Sequence, residues 1–206
     1  MSVVNTIERL AKWAGENICE KVRLKLPAED SGNESYNQRY ELVTPAAFAM
    51  FVPENDRLPP GVKSNVPSLC VRLLEGSDSL TENKGRLRVQ MGFSAWDTGC
   101  HGKDIFRPKV GNPGAFEQPP PQEAAGCFTR SGDGWRDAWN FVDTALRAIE
   151  STETMDGIRL VKEEGIQFGP LKEQEAIPDL YPLWFAWLTF TVEYPIARSH
   201  SWDCLL

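Results

Sequence analysis

A chain of 206 residues, 41% hydrophobic and 25% charged, is long enough to bury one core and ordinary in composition for a globular protein. A formal net charge of −7 with a pI near 5.0 argues against wrapping nucleic acid, because phosphate binding needs clustered cations, and the local basic groups (Lys21, Arg23 and Lys25; Arg86 and Arg88) have acids close by. No apolar run reaches bilayer-spanning length, the N-terminus lacks the features of a secretory signal, and five scattered cysteines (Cys19, Cys70, Cys100, Cys127, Cys204) form no disulfide framework, so a reduced cytoplasmic chain is expected.

In chain order, Val4, Ile7, Leu10, Ala11, Ala14 and Ile18 have the spacing of one helical face, with Asn5 or Ser2 as its cap and Gly15 as a point of bending or early stop. Val22, Leu24 and Leu26 alternate with Lys21, Arg23 and Lys25, a half-buried strand cut off by Pro27. After a polar loop, 28–39, the stretches Tyr40 to Thr44 and Ala47 to Val52 are expected as strand pieces separated by Pro45. Val66 to Leu74 and Leu87 to Phe93 then predict two strands joined by a long polar loop. From Ser94 to Arg130 the pattern stops. A stretch holding Pro119, Pro120 and Pro121 is expected as an extended surface arm that orders against a partner.

The clearest helix follows. Asp133 is its expected cap, and Trp135, Ala138, Trp139, Val142, Ala145, Leu146 and Ile149 fall on one stripe, with both tryptophans expected in the core. Ile158 to Val161 and Ile166 to Phe168 predict short strands. The last strand is long and aromatic: Trp184, Ala186, Leu188, Phe190, Val192 and Tyr194 alternate with Phe185, Trp187, Thr189, Thr191 and Glu193. Helix, strands, insertion, helix and strands predict a single α+β domain over 1–206, with a mostly antiparallel sheet, helices on one face, an arm at about 97–130 and a tail at 196–206.

Reactive chemistry finds little footing in the pattern. Cys100 beside His101, with Cys127 and His200 remote, is an incomplete zinc set and an unsupported nucleophile, more simply a free thiol and a solvated histidine. Glu163/Glu164 and Glu173/Glu175 lack the apolar setting that would tune a general acid, though residues 163–179 carry five acids against Lys172 alone and offer a contact patch for a basic neighbour. Ser131-Gly132-Asp133-Gly134 is a turn leading into a helix. No phosphate-loop, dinucleotide-binding, zincin or nucleophile-elbow motif occurs, so catalytic, metal and cofactor sites are all expected to be none. Trp184 and Trp187 point to opposite strand faces, so one of them, and Trp202 in the tail, are candidates for protein contacts.

Four stretches carry a resemblance: PSLCVRLLEG, RLRVQMGFSAWD, DGWRDAWNFVDTALRAIES and FGPLKEQEAIPDLYPLWFAWLTFTVEYP. Together they resemble the tail terminator, or tail completion, proteins of bacteriophages and of phage-tail-like particles. The matching positions are Gly134 to Ile149, Gly169 to Leu171, Glu173 to Glu175, Pro178, Tyr181 to Phe185 and Val192 to Pro195, and the likeness covers 66–195 without the insertion. The resemblance implies a non-enzymatic subunit that closes as a hexameric ring on the last ring of the tail tube. It implies as partners further copies of itself, the tube protein, and the sheath or collar, with no membrane and no sequence-specific nucleic acid. It implies assembly in the bacterial host cytoplasm and a final place in the tail. The residues expected at interfaces are Glu173, Glu175, Asp179, Phe185, Trp187, Trp202 and Pro119 to Pro121. Another phage structural part, such as a head–tail connector, a tube-like subunit or a baseplate subunit, and a small cytoplasmic Cys/His enzyme are the alternatives.

Overall fold

The computed structural model describes residues 1–26, 41–79, 81–97, 107–108, 116–117 and 134–196. Helix α1, Val3–Asn17, begins where Ser2 Oγ accepts from the Asn5 N–H at 3.2 Å. It runs through Gly15 without stopping, and a Cβ there would make only an ordinary contact with Ala47 Cβ, at 3.5 Å. Strands β1 (Leu24–Lys25) and β2 (Leu42–Val43) form a separate antiparallel ladder. The expected strand around Leu24 is thus present but only two residues long.

The main sheet takes β3 (Ala46–Ala49), β4 (Ser68–Ser79), β5 (Lys84–Trp96), β8 (Thr154–Met155), β9 (Ile158–Leu160), β10 (Gln167–Pro170) and β11 (Leu183–Pro195) in the order β3-β4-β5-β11-β9-β8, with β10 also on β11. Every pairing is antiparallel except β3 with β4. This is the α+β arrangement expected. The polar stretch after Leu74 belongs to a long β4–β5 hairpin and not to a loop, since Glu75 pairs with Arg88 and Ser79 with Lys84. Its solvated face needs no apolar residues, which is why hydrophobic pattern alone ends the strand early. Within the expected irregular insertion, β6 (Arg107–Pro108) and β7 (Phe116–Glu117) form a short ladder.

Helix α2, Trp135–Glu150, starts on Gly134, which has no side-chain cap bond; Asp133, the expected cap, lies outside the described residues. Both helices pack on one face of the sheet. Phe141, Val142, Ala145 and Ile149 from α2 join Leu10, Ala14 and Ile18 in one cluster with Val89, Phe93, Leu188 and Phe190. Phe141 meets Phe93 edge-to-face at 5.0 Å, an aromatic pair that the stripe reading omitted. Trp135 is not core: it sits in the first turn, 44% exposed, with the Arg136 guanidinium 5.5 Å from its ring centre. Trp139 is half-buried against the cluster.

The point where α2 begins is tightly held. Asp97 N–H donates to Pro182 O at 3.0 Å, and Trp184 Nε1–H donates to Asp97 O at 2.8 Å. A Cβ on Gly134 would stand 2.8 Å from both Asp97 O and Trp184 Nε1, so no larger residue fits. Lys25 forms an ion pair with Asp97 and reaches Asp137 at 3.6 Å. Burial raises the Asp137 carboxyl above its ordinary range; Lys25 opposes that shift and Asp97 adds to it. Burial likewise pushes the Cys19 thiol up to about 12. Among the described residues no helix is long and apolar enough to cross a membrane.

Candidate interaction surface

Strand β11 divides its side chains as its alternation requires. Ala186, Leu188, Phe190, Val192 and Tyr194 are buried in the helix-covered core, with Trp184 packed against it. Phe185, Trp187, Thr189, Thr191 and Glu193 stand on the other face, which neither α1 nor α2 covers. Their cross-strand neighbours on that face are Ser94, Gly92, Gln90, Arg88 and Arg86 of β5.

This outer face has two ends of different chemistry. Toward Lys84 and Pro195 it is charged and internally paired. Arg86 reaches Glu164 at 3.1 Å and Glu193 at 3.0 Å, Arg159 reaches Glu193 at 3.4 Å, and Arg88 lies 3.6 Å from Glu75 and donates to Gln167 at 3.2 Å. Glu163 lies 3.9 Å from Arg159. Both acids of that pair are therefore engaged by arginines of their own subunit, and the acidic contact surface narrows to Glu173, Glu175 and Asp179.

Toward Trp96 and Leu183 the outer face is hollow. A groove of about 590 Å³ is bordered on one side by Val52, Asn55 and Asn65 and on the other by Leu171 and Phe185. The first border exists because the chain after β3 returns across this face before entering β4. Gly92 opens the floor: a Cβ there would find nothing nearer than Cys70 O at 3.9 Å. Arg72 and its cross-strand partner Gln90 line the same groove.

Phe185 and Trp187, both expected at an interface, thus meet at this groove, each half-buried. Trp187 has a second task. Its indole N–H donates to Pro170 O at 2.7 Å and its ring lies over Gly169, where a Cβ would approach to 3.2 Å. Trp187 therefore fastens β10 to β11, and replacing it is expected to weaken the fold as well as any contact.

Glu173, Glu175 and Asp179 lie on the loop 171–182, next to the groove and exposed. The loop also exposes Leu171, Ile177, Leu180 and Tyr181, with Ile177 at 66%. On its other flank a cleft of about 400 Å³ is lined by Trp135, Trp139, Ile177, Leu180 and Trp184. Several large apolar side chains on one projection are uncommon on a monomer surface and mark a contact region. Sequence reading placed the acids and missed the apolar residues between them. Pro119, Pro120, Pro121 and Trp202 lie outside the described residues, as do Cys100, His101, Cys127 and His200. Neither a family model nor a curated protein sequence matches the chain.

Proposed function

We propose that the chain is a non-enzymatic assembly subunit that closes as a homo-oligomeric ring, six copies by the family resemblance, on the end of a phage or phage-like tail tube. A stack of identical rings presents the same growing face after each addition, and only a ring with a different outer face ends it. Such a subunit needs two unlike contacts to its neighbours in the ring and a further face toward the tube. The observation that carries the proposal is the pairing of a protruding acidic–apolar loop, 171–182, with an open groove on the uncovered sheet face. The sequence resemblance over 66–195 supplies the tail context, and with it the tube, sheath or collar as further partners and the host cytoplasm as the place of assembly. Removal of the gene tests it. Micrographs are expected to show tails of irregular or excess length, or tails that never join their next component, while tube subunits still polymerise; normal particles would refute the function.

A further inference from the structure

We infer that the loop 171–182 of one copy seats in the outer-face groove of a second copy, with Ile177 entering the apolar part and Glu175 meeting Arg72. The inference rests on the ring reading and names the subunit contact that reading requires.

The loop is built to project. Its ends are anchored, Leu171 N–H donating to Phe185 O at 3.4 Å and Leu183 N–H to Leu180 O at 2.8 Å. Its tip is a tight turn in which the Glu173 and Ala176 backbones exchange hydrogen bonds of 2.8 and 2.9 Å. Gln174 and Glu175 between them both lie in the left-handed region, at φ 48° and 69°. Two-residue turns of this kind favour Asn-Gly, because a Cβ is strained at positive φ. The fold tolerates that strain twice in succession and so presents two long polar side chains at the tip. Strain held at an exposed tip points toward function and not toward stability.

Charge is complementary across the pair. Glu173, Glu175 and Asp179 stand against Lys172 alone, and no cation pairs with any of the three among the described residues. In the groove, Arg72 is exposed. Its charge lies near the Cys70 thiol, and no carboxylate pairs with it among the described residues. The other sheet arginines facing this side, Arg86, Arg88 and Arg159, are each engaged by a glutamate. Among the described residues, Arg72 is thus an arginine of this face left for an external carboxylate.

Shape agrees. Leu171 and Pro182, the loop's two ends, line the groove of their own subunit, whereas tip residues 173–180 do not. The groove is open to a tip from elsewhere, and the apolar border of Val52 and Phe185 suits an isoleucine. Because loop and groove are different surfaces, the contact runs head-to-tail and ends only by closing into a ring.

Sedimentation velocity on the full chain across a concentration series tests this. The wild type is expected to associate, and Ile177→Asp, Arg72→Glu and Glu175→Arg are each expected to raise the concentration of half-assembly about tenfold or more. The double variant Arg72→Glu/Glu175→Arg is expected to recover most of the loss, with circular dichroism unchanged throughout because all three positions are exposed. Association that survives Ile177→Asp and Arg72→Glu, or a double variant no better than its parents, overturns the docking. So does a wild type that stays monomeric alone yet takes up tube subunits through the same residues, since the groove's occupant is then the tube. Tail length after gene removal tests the tube-capping proposal separately, so a failure of this docking and a failure of that reading are told apart.

Discussion

The inner and outer faces of the sheet are made by the same strands, yet the inner face is closed and the outer face is half open. On the inner face, α1 and α2 bury residues such as Leu10, Phe93, Phe141, Val142 and Leu188 to 0–1% exposure. On the outer face a bare backbone stretch at Gly92, a single returning segment and the half-buried Phe185 and Trp187 leave a groove. One strand, β11, serves both by alternation. Substitutions on its two faces should therefore separate folding from assembly, and the separation can be broken or sharpened at chosen positions.

The largest effect belongs to the core. Phe141→Ala removes a fully buried ring and is expected to cost about 3–5 kcal/mol, measured by urea unfolding. Val142→Asp places an unpaired charge at a fully buried site and is expected to yield no folded subunit. A folded, soluble Val142→Asp protein would mean that α2 does not close the inner face.

Next comes the Lys25–Asp97–Asp137 group at the start of α2. Its side chains are 22%, 12% and 25% exposed, so solvent screens the pair in part. Lys25→Met removes a cation from beside two neighbouring carboxylates and is expected to cost about 2 kcal/mol near neutral pH. The sign with pH follows from Asp137, whose folded carboxyl titrates above its unfolded value. A group of that kind favours the folded state when protonated, and its contribution is lost as pH rises through the folded value. Without Lys25 the Asp137 carboxyl titrates higher still, so the deficit of Lys25→Met should shrink as the solution is acidified toward the ordinary carboxylate range. A deficit that grows on acidification would show that Lys25 does not hold this pair.

Trp187→Ala sits between the two regimes. It deletes the bond to Pro170 and the cover over Gly169 and is expected to cost about 2 kcal/mol from its half-buried area, besides weakening assembly. An unchanged melting temperature would detach Trp187 from the fold and leave it a pure contact residue. The smallest effect has the opposite sign. Glu175→Gly relieves a positive φ and is expected to stabilise the isolated subunit by up to about 1 kcal/mol while impairing assembly. A more stable chain that assembles less well is the outcome that a merely structural loop would not give.

Periodicity made the closed face legible. The β11 alternation, the α2 stripe from Ala138 onward and the α1 positions Ile7, Leu10, Ala11 and Ala14 could be read because each buries one side against a single layer, whereas Val4 is exposed and the buried Thr6 and Trp13 of α1 were missed. Trp135 misled because it sits in the first turn of α2, where the helix borders the loop 171–182 and not the sheet. The tail of the β4–β5 hairpin was hidden because its residues from Glu75 to Ser79 are stabilised by backbone pairing in solvent. The groove was illegible for another reason: it exists only once the segment after Met50 crosses β4, a long-range event that no local pattern records. The strained tip escaped notice because Gln-Glu is not a turn signal, and Arg86 of β5, the partner of Glu164, is remote in sequence.

The tube-capping role is tested most directly by polymerising the cognate tube subunits in vitro with and without the purified chain and measuring tube length by electron microscopy. A capping subunit should arrest growth at substoichiometric amounts and leave shorter tubes bearing a distinct ring at one end, and Arg72→Glu should lose that arrest. Tubes of the same length distribution at every ratio, with no ring at either end, would contradict it.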